Sequence, residues 1–269
     1  MEEHRMKLGF IGCGNMAGAM LGGILKAGLL KKEDIIASAL HEESRERIGK
    51  EFGIAVTGNN REVVERSKVV VLAVKPQFYE EVITEVKDAV TEAQVIVTIA
   101  PGKTVAWLTE VFAKPVKIVR TMPNTPALVG EGMTGVCKNE LVSEAELLEV
   151  NKLLGAFGKV EEVPEYLMEA VVSVSGSSPA YVFMFIEAMA DAAVREGIPR
   201  KKAYKFAAQA VLGSAKMVLE TGMHPGELKD MVCSPAGTTI EAVRVLEEKG
   251  LRSAVMEAMK ECTKAAKSF

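Results

Sequence analysis

Gly12-Cys-Gly-Asn-Met-Ala17 sets two glycines and an alanine at Gly-x-Gly-x-x-Ala spacing. The chemistry that such spacing serves is the holding of a pyrophosphate. Gly12 permits a tight turn, Gly14 lets phosphate approach a backbone with no Cβ in the way, and Ala17 lets the next helix lie close on its strand. The anion then rests on N–H groups at the positive end of that helix. Two further stretches, Ser175-Gly-Ser-Ser-Pro179 and Ser234-Pro-Ala-Gly-Thr-Thr239, combine hydroxyl residues, a proline and a glycine just before a helix start. Such a break exposes N–H groups and hydroxyls that suit a carboxylate. One such break is ordinary capping. Two of them, beside a nucleotide motif, point to a small anionic substrate held by backbone rather than by arginine.

The elements that position these groups follow from the apolar pattern. Leu8–Ile11 is a buried strand leading into the glycine turn, and a helix runs from Asn15 to about Gly28. Ile35–Leu40 is a second strand. Val69–Val74, continuously apolar as in a parallel sheet covered on both faces, is a third. Lys75 and Pro76 follow at its C-terminal end, the ligand edge of an open sheet. Val95–Ala100 and Val116–Thr121 are the next strands, the last running into Met122-Pro-Asn-Thr-Pro126, a rigid wall with two prolines. Met133–Cys137, a helix from about Ser143, and Lys159–Val163 close this half.

The second strand ends near Ser38-Ala-Leu-His41, where a dinucleotide fold usually carries an acid for the ribose. A hydroxyl with Arg45 and Arg47 nearby leans to a 2′-phosphate, hence NADPH over NADH. Glu42 and Glu43 keep NADH open if the strand ends later. The two arginines equally suit a solvated helix face.

From Pro164 the chain reads as helices: Tyr166–Val174, 181–195, 200–220, a short one from Pro225, one to Gly250 and one from Leu251. Tyr181–Val194 and Phe206–Gly213 are apolar nearly all round, so they must be covered on most sides. A helical half of about a hundred residues hides few helices that fully, which predicts a homodimer, with a core helix inside one chain as the alternative. The expected fold is α/β. A Rossmann-type doubly wound sheet over residues 1–163 binds NAD(P), and an all-helical domain over 164–269 handles substrate and dimerisation.

The bounds agree. In 269 residues the net charge is −3, which argues against nucleic acid. The apolar runs are short for a bilayer, and Met-Glu-Glu-His-Arg at the start is no secretory signal. Cys13, Cys137, Cys233 and Cys262 show neither metal spacing nor a disulfide framework. No metal is expected, and a cytoplasmic enzyme is. His4, His41 and His224 offer no triad, and His224 before Pro225 suits the start of a helix.

Gly12–Ala17, Ala73-Val-Lys-Pro76, Met122–Pro126, Ser175-Gly-Ser-Ser-Pro-Ala-Tyr181 and Leu228-Lys-Asp-Met-Val-Cys-Ser-Pro-Ala-Gly-Thr-Thr239 together resemble the pyrroline-5-carboxylate reductase family, in order over nearly the whole chain. The family usually shows Gly where Ser178 stands, Gly or Asn at Ala236, and often Thr at Cys233. The resemblance implies reduction of 1-pyrroline-5-carboxylate to L-proline by NAD(P)H, with a helical domain that interlocks two subunits. It implies that Gly12, Gly14, Asn15, Met16 and Ala17 hold the pyrophosphate, that Ser38 and Asn60 lie on the adenosine side, and that Ala73, Val74 and Lys75 line the way to the nicotinamide. It further implies that Gly237, Thr238 and Thr239 give N–H groups to the substrate carboxylate while the Thr239 hydroxyl reaches the ring nitrogen. Ser177 and Ser234, from the same breaks, complete the substrate candidates. Tyr181 and Lys75 are the fallback proton donors. The rivals are a related cyclic-imine reductase and a β-hydroxyacid dehydrogenase, which would place a lysine one turn after the Ser175–Pro179 loop. The first lysine there is Lys201.

Overall fold

The computed structural model describes residues 6–267; His4 and the charged start lie outside them. An eight-stranded sheet carries the first part of the chain, in the order β3-β2-β1-β4-β5-β6-β7-β8. Its first elements are β1 (Met6–Ile11), α1 (Asn15–Lys26), β2 (Ile35–Ser38), α2 (Glu42–Phe52), β3 (Ala55–Thr57), α3 (Asn60–Arg66) and β4 (Ser67–Leu72). Then come α4 (Tyr79–Val86), β5 (Val95–Thr98), α5 (Val105–Phe112), β6 (Lys117–Met122), β7 (Gly132–Lys138), α6 (Glu144–Leu154) and β8 (Gly158–Glu162). All neighbours run parallel except β6 and β7. Strand order reverses beside β1, so the crevice beyond the carboxyl ends of β1 and β4 is the expected ligand position.

The alternation of side chains explains the continuous apolar runs. In β4, Val69 and Val71 pack on one face with Leu8, Phe10 and the α1 residues Met20 and Leu21. Val70 and Leu72 pack on the other with Val63, Tyr79, Ile83 and Phe112. Each fully buried side chain of this size contributes about 1.5–3 kcal/mol. Helix α6 begins at Ser143, whose hydroxyl accepts the Glu146 N–H while the Glu146 carboxylate takes the Ser143 N–H, a capping box.

Two details differ from the sequence reading. The three-residue β3 was not foreseen: it is too short and too evenly half-buried to show a period. Strand β2 stops at Ser38 and β4 at Leu72, so Ala39–Leu40 and Ala73–Val74 are loop.

The helices are α7 (Met168–Val171), α8 (Ser178–Arg195), α9 (Arg200–Thr221), α10 (Pro225–Val232), α11 (Thr238–Glu248) and α12 (Leu251–Ala266). Between α7 and α8, Val172–Gly176 forms a π-helical turn. The expected open break at Ser175–Pro179 is therefore corrected: the Ser177 N–H is spent on the Val172 carbonyl at 2.7 Å, and the Ser175 hydroxyl on Val171 O. A π turn absorbs the proline that a regular helix would reject, because the ring clashes with the carbonyl four residues back. The resulting helical stretch, Glu165–Arg195, has 31 residues and is long and apolar enough to cross a membrane by length and composition alone. The shorter runs read from the sequence had missed this.

By packing, the chain forms one unit through Ser177 that includes the segment from Cys262, and a second over Ser178–Glu261. The sequence boundary at 163/164 differs because α7, the π turn and the end of α12 pack on the sheet, around Met122, Cys137, Met168, Val172 and Ala266. Buried Arg120 on β6 adds a polar clamp, donating to Glu165 at 3.1 Å and Glu169 at 2.8 Å. The Glu165 carboxylate also accepts the first N–H of α5.

In the second unit the apolar residues of α8 and α9 lie outside. Only Ala190 in α8 and Ala203 and Ala207 in α9 are buried, while Phe183, Met184, Phe206 and Leu219 stand more than half exposed. The alternative of a core helix within one chain falls away.

Candidate active site

Strand β1 delivers the chain to Gly12, whose φ of +85° is left-handed. A Cβ there would meet Val74 Cγ1 at 2.8 Å and the Ala73 backbone at 3.0 Å. Gly12 is thus a glycine for two reasons, conformation and contact. Its N–H donates to Ser38 O at 3.1 Å, and the Ala73 N–H donates to Ile11 O at 2.8 Å. The turn, the end of β2 and the Ala73–Val74 loop are held as one piece. Tyr79, which sequence reasoning missed, anchors that loop from below: its buried hydroxyl donates to Leu72 O at 2.5 Å. Burial pushes the phenol up to about 12.

Gly14 is the N-cap of α1, in extended conformation and without a side-chain cap. A Cβ on Gly14 would have nothing within 4 Å, so this glycine leaves room for something other than protein. The first-turn N–H groups of Asn15, Met16 and Ala17 have no acceptor within the helix. Ala17 is buried against the sheet and Cys13 sits in the same core. Burial raises the Cys13 thiol to about 11, so it is no nucleophile at neutral pH. Uncapped N–H groups facing open space fit a pyrophosphate.

Ser38 needs a correction. Its side chain is buried and its hydroxyl donates to Asn60 Oδ1 at 2.7 Å. It supports the turn and Asn60 and presents no hydroxyl to a ligand. Asn60 in turn donates to Glu85 at 2.7 Å. Lys75 is exposed at the head of the turn that follows β4. Asn124, in the proline loop, is buried and bridges three segments: it accepts the Met133 N–H at 2.9 Å and donates to Ser175 O at 3.0 Å. That makes the loop the rigid wall its prolines suggest.

In the second unit, α10 begins at His224, whose Nδ1 accepts the Gly226 N–H at 3.0 Å. His224 starts a helix, as its place before Pro225 suggests. The chain then breaks at Cys233 and restarts at Gly237, the N-cap of α11, again with no side-chain cap. Ala236 precedes it at φ +55°. A Cβ on Gly237 would come within 2.3 Å of Ser234 Oγ. The Gly237 N–H is taken by Ser234 O at 3.0 Å, so the expectation that it serves a carboxylate is corrected. Its neighbours Thr238 and Thr239 occupy the first helical positions, where N–H groups lack an intrahelical acceptor. Neither threonine caps the helix. Thr239 is half-buried and Ser234 exposed. Helix α8 carries no lysine, so the hydroxyacid-dehydrogenase pattern stays absent. Among the described residues, no group of three or more His, Cys, Asp or Glu is placed to hold a metal.

Comparison with known proteins divides the chain beside the 163/164 boundary read from the sequence, not at the packing boundary after Ser177. Residues 165–269 match the family described as pyrroline-5-carboxylate reductase dimerisation, and residues 7–102 match NADP oxidoreductase, coenzyme F420-dependent. A pyrroline-5-carboxylate reductase of Escherichia coli K12 is 52% identical over 95% of this chain and 95% of its own. Among solved structures, a pyrroline-5-carboxylate reductase of Coxiella burnetii is similar with TM-score 0.91 and 34% identity, covering 98% of both chains. A Plasmodium falciparum pyrroline carboxylate reductase with NADP bound gives 0.89 and 31%, again over 98% of both.

Proposed function

The chain belongs to the pyrroline-5-carboxylate reductase family, and from that premise we propose how its residues carry the reaction. It is an NAD(P)H-dependent oxidoreductase that reduces the C=N bond of 1-pyrroline-5-carboxylate to L-proline, the last step of proline biosynthesis. The nicotinamide cofactor supplies the hydride when bound. The first-turn N–H groups of Asn15, Met16 and Ala17, with Gly14 leaving the approach open, hold its pyrophosphate, and Ala73, Val74 and Lys75 line the way onward.

The observation that carries the substrate assignment is the uncapped start of α11. The N–H groups of Thr238 and Thr239 bind the carboxylate, and the Thr239 hydroxyl hydrogen-bonds the ring nitrogen as it passes from imine to amine. A cyclic imine is basic enough to accept hydride as its iminium, so the site needs position more than acid–base power. Ser234 shapes the loop by holding the Gly237 N–H. Ser177 has only its hydroxyl left for a ligand.

We assign the exposed apolar faces of α8 and α9 to a second copy of the chain, a homodimer consistent with the matched dimerisation domain. That assignment accounts for the apolar stretch around α8 without a membrane, and nothing in the net charge invites nucleic acid. All four cysteines are free thiols, which suits a reducing, cytoplasmic compartment.

Thr239→Ala tests the assignment. Steady-state kinetics with the imine are expected to show kcat/KM lower by about 10-fold or more, the worth of one hydrogen bond of about 1.5 kcal/mol. The thermal midpoint stays near the parent's, because Gly237 and not Thr239 caps the helix. Unchanged kcat/KM overturns the role and makes Tyr181 the next residue to substitute.

A further inference from the structure

Two arginines on α2 look alike in the sequence and are placed differently. Arg47 is paired with Glu51 at 3.2 Å along the helix, and its Nη2 donates a long 3.5 Å bond to Cys13 O in the glycine turn. Arg45 has no carboxylate within 4 Å among the described ion pairs. Instead its Nη1 donates to the carbonyls of Ala39 at 3.0 Å and Leu40 at 2.7 Å, the two residues just past the end of β2. On its other side, a Cβ on Gly58, just past the end of β3, would touch Nη1 at 3.3 Å. The guanidinium therefore lies across the carboxyl ends of β2 and β3, half-buried and fixed by two hydrogen bonds through one nitrogen.

Arginine carries five N–H donors in a rigid fork. With Nη1 engaged, Nε and Nη2 keep three of them. A cation held by neutral carbonyls keeps its full charge for a ligand, whereas one paired with a carboxylate does not. The position matters as much as the charge. A pyrophosphate at the start of α1 places the attached ribose over the end of the neighbouring strand, which is β2. The strand stops at Ser38, and the first acid, Glu42, comes four residues later in the first turn of α2. No carboxylate stands at the strand end to accept from a ribose hydroxyl, and Ser38 is buried beneath it.

We propose that Arg45 is the residue that selects the 2′-phosphate of NADPH, through its Nε and Nη2 hydrogens, and that the carbonyls of Ala39 and Leu40 pre-orient it. The assignment replaces Ser38, whose hydroxyl is spent on Asn60. It rests on the dinucleotide reading of the glycine turn.

The test is calorimetric titration of the full chain with two fragments, adenosine 2′,5′-bisphosphate and adenosine 5′-monophosphate, so that binding is read without turnover. In Arg45→Met the bisphosphate is expected to bind about 10-fold or more weakly, equivalent to about 1.4 kcal/mol. The monophosphate is expected to keep its affinity. Lys50→Met, on the same helix with its lysine paired to Glu46, removes equal charge and is expected to change neither. In parallel the ratio of kcat/KM for NADPH over NADH falls in Arg45→Met. Equal weakening of both fragments would make Arg45 a mere support of the loop and overturns the proposal, as does an unchanged bisphosphate affinity. If neither fragment binds the unsubstituted chain, the dinucleotide reading fails first and takes the proposal with it.

Discussion

The chain starts a helix from a glycine N-cap twice, at Gly14 and at Gly237, and the two starts differ in what stands behind them. Behind the first lies a finished core: Gly12 takes the left-handed turn, Cys13 and Ala17 are buried, and three strand ends are laced to one another by backbone hydrogen bonds. Behind the second the left-handed residue is an alanine, and the residues from Ser234 to Ala236 are exposed, on helices whose apolar faces are uncovered. The same local device is thus complete in one unit and unfinished in the other. On the proposed assignment the nucleotide is held within a single chain, whereas the substrate-binding helix start lies among helices that a second copy would cover.

The harshest way to break this comparison is a charge on the uncovered face. Phe183→Glu, at a residue 64% exposed in the single chain, is expected to abolish the dimer by light scattering and to abolish turnover. Adenosine 2′,5′-bisphosphate binding to the sheet unit persists. A variant that remains dimeric and active would show that this face is not the interface.

The next effect separates two glycines of one turn. Gly12→Ala forces a Cβ into Ala73 and Val74 at an unfavourable φ and is expected to cost about 2–4 kcal/mol in denaturant unfolding. Gly14→Ala, at φ −80° with open space around it, leaves stability near the parent's but blocks the phosphate and weakens NADPH about 10-fold. Equal stability losses in the two would contradict the division between a structural and a ligand glycine.

The smallest expected effect sharpens the comparison from the other side. Ala236→Gly removes a left-handed strain of about 1–2 kcal/mol but adds unfolded-state freedom, for a net gain of about 1 kcal/mol or less. A measurable loss of stability would mean that the Ala236 methyl packs on something in the assembled protein.

What the sequence made legible was whatever is written in a local period or a local turn. The apolar run of β4 announces a strand covered twice, and Gly12-x-Gly14 announces the tight turn and the open helix start that follow β1. The capping box at Ser143 and Glu146 sits where the helix was expected. What stayed hidden depends on hydrogen bonds that skip along the chain. Nothing near Ser38 says that its hydroxyl will meet Asn60, 22 residues on. Nothing near Gly237 shows its N–H turning back to Ser234. The π turn escaped notice because a proline among serines looks like a stop, and only the 2.7 Å bond from Ser177 to Val172 reveals a widened helix that goes on. Arg45 and Arg47 are two residues apart in a polar helix. Side-chain partners, which composition does not encode, tell them apart.

The end of α12 packs back on the sheet unit. Ala266 is buried beside Met168 and Val172, and the Thr263 hydroxyl donates to Ser173 at 2.9 Å. During synthesis, then, the first half of the chain emerges from the ribosome with one of its clusters still open. That cluster waits for a segment made some ninety residues after its partner. In the interval the helices carrying Phe183, Met184 and Phe206 have emerged with their apolar faces bare. Contacts this distant in sequence form late. The nascent chain therefore exposes these apolar faces while its last cluster is still open, an arrangement prone to aggregation.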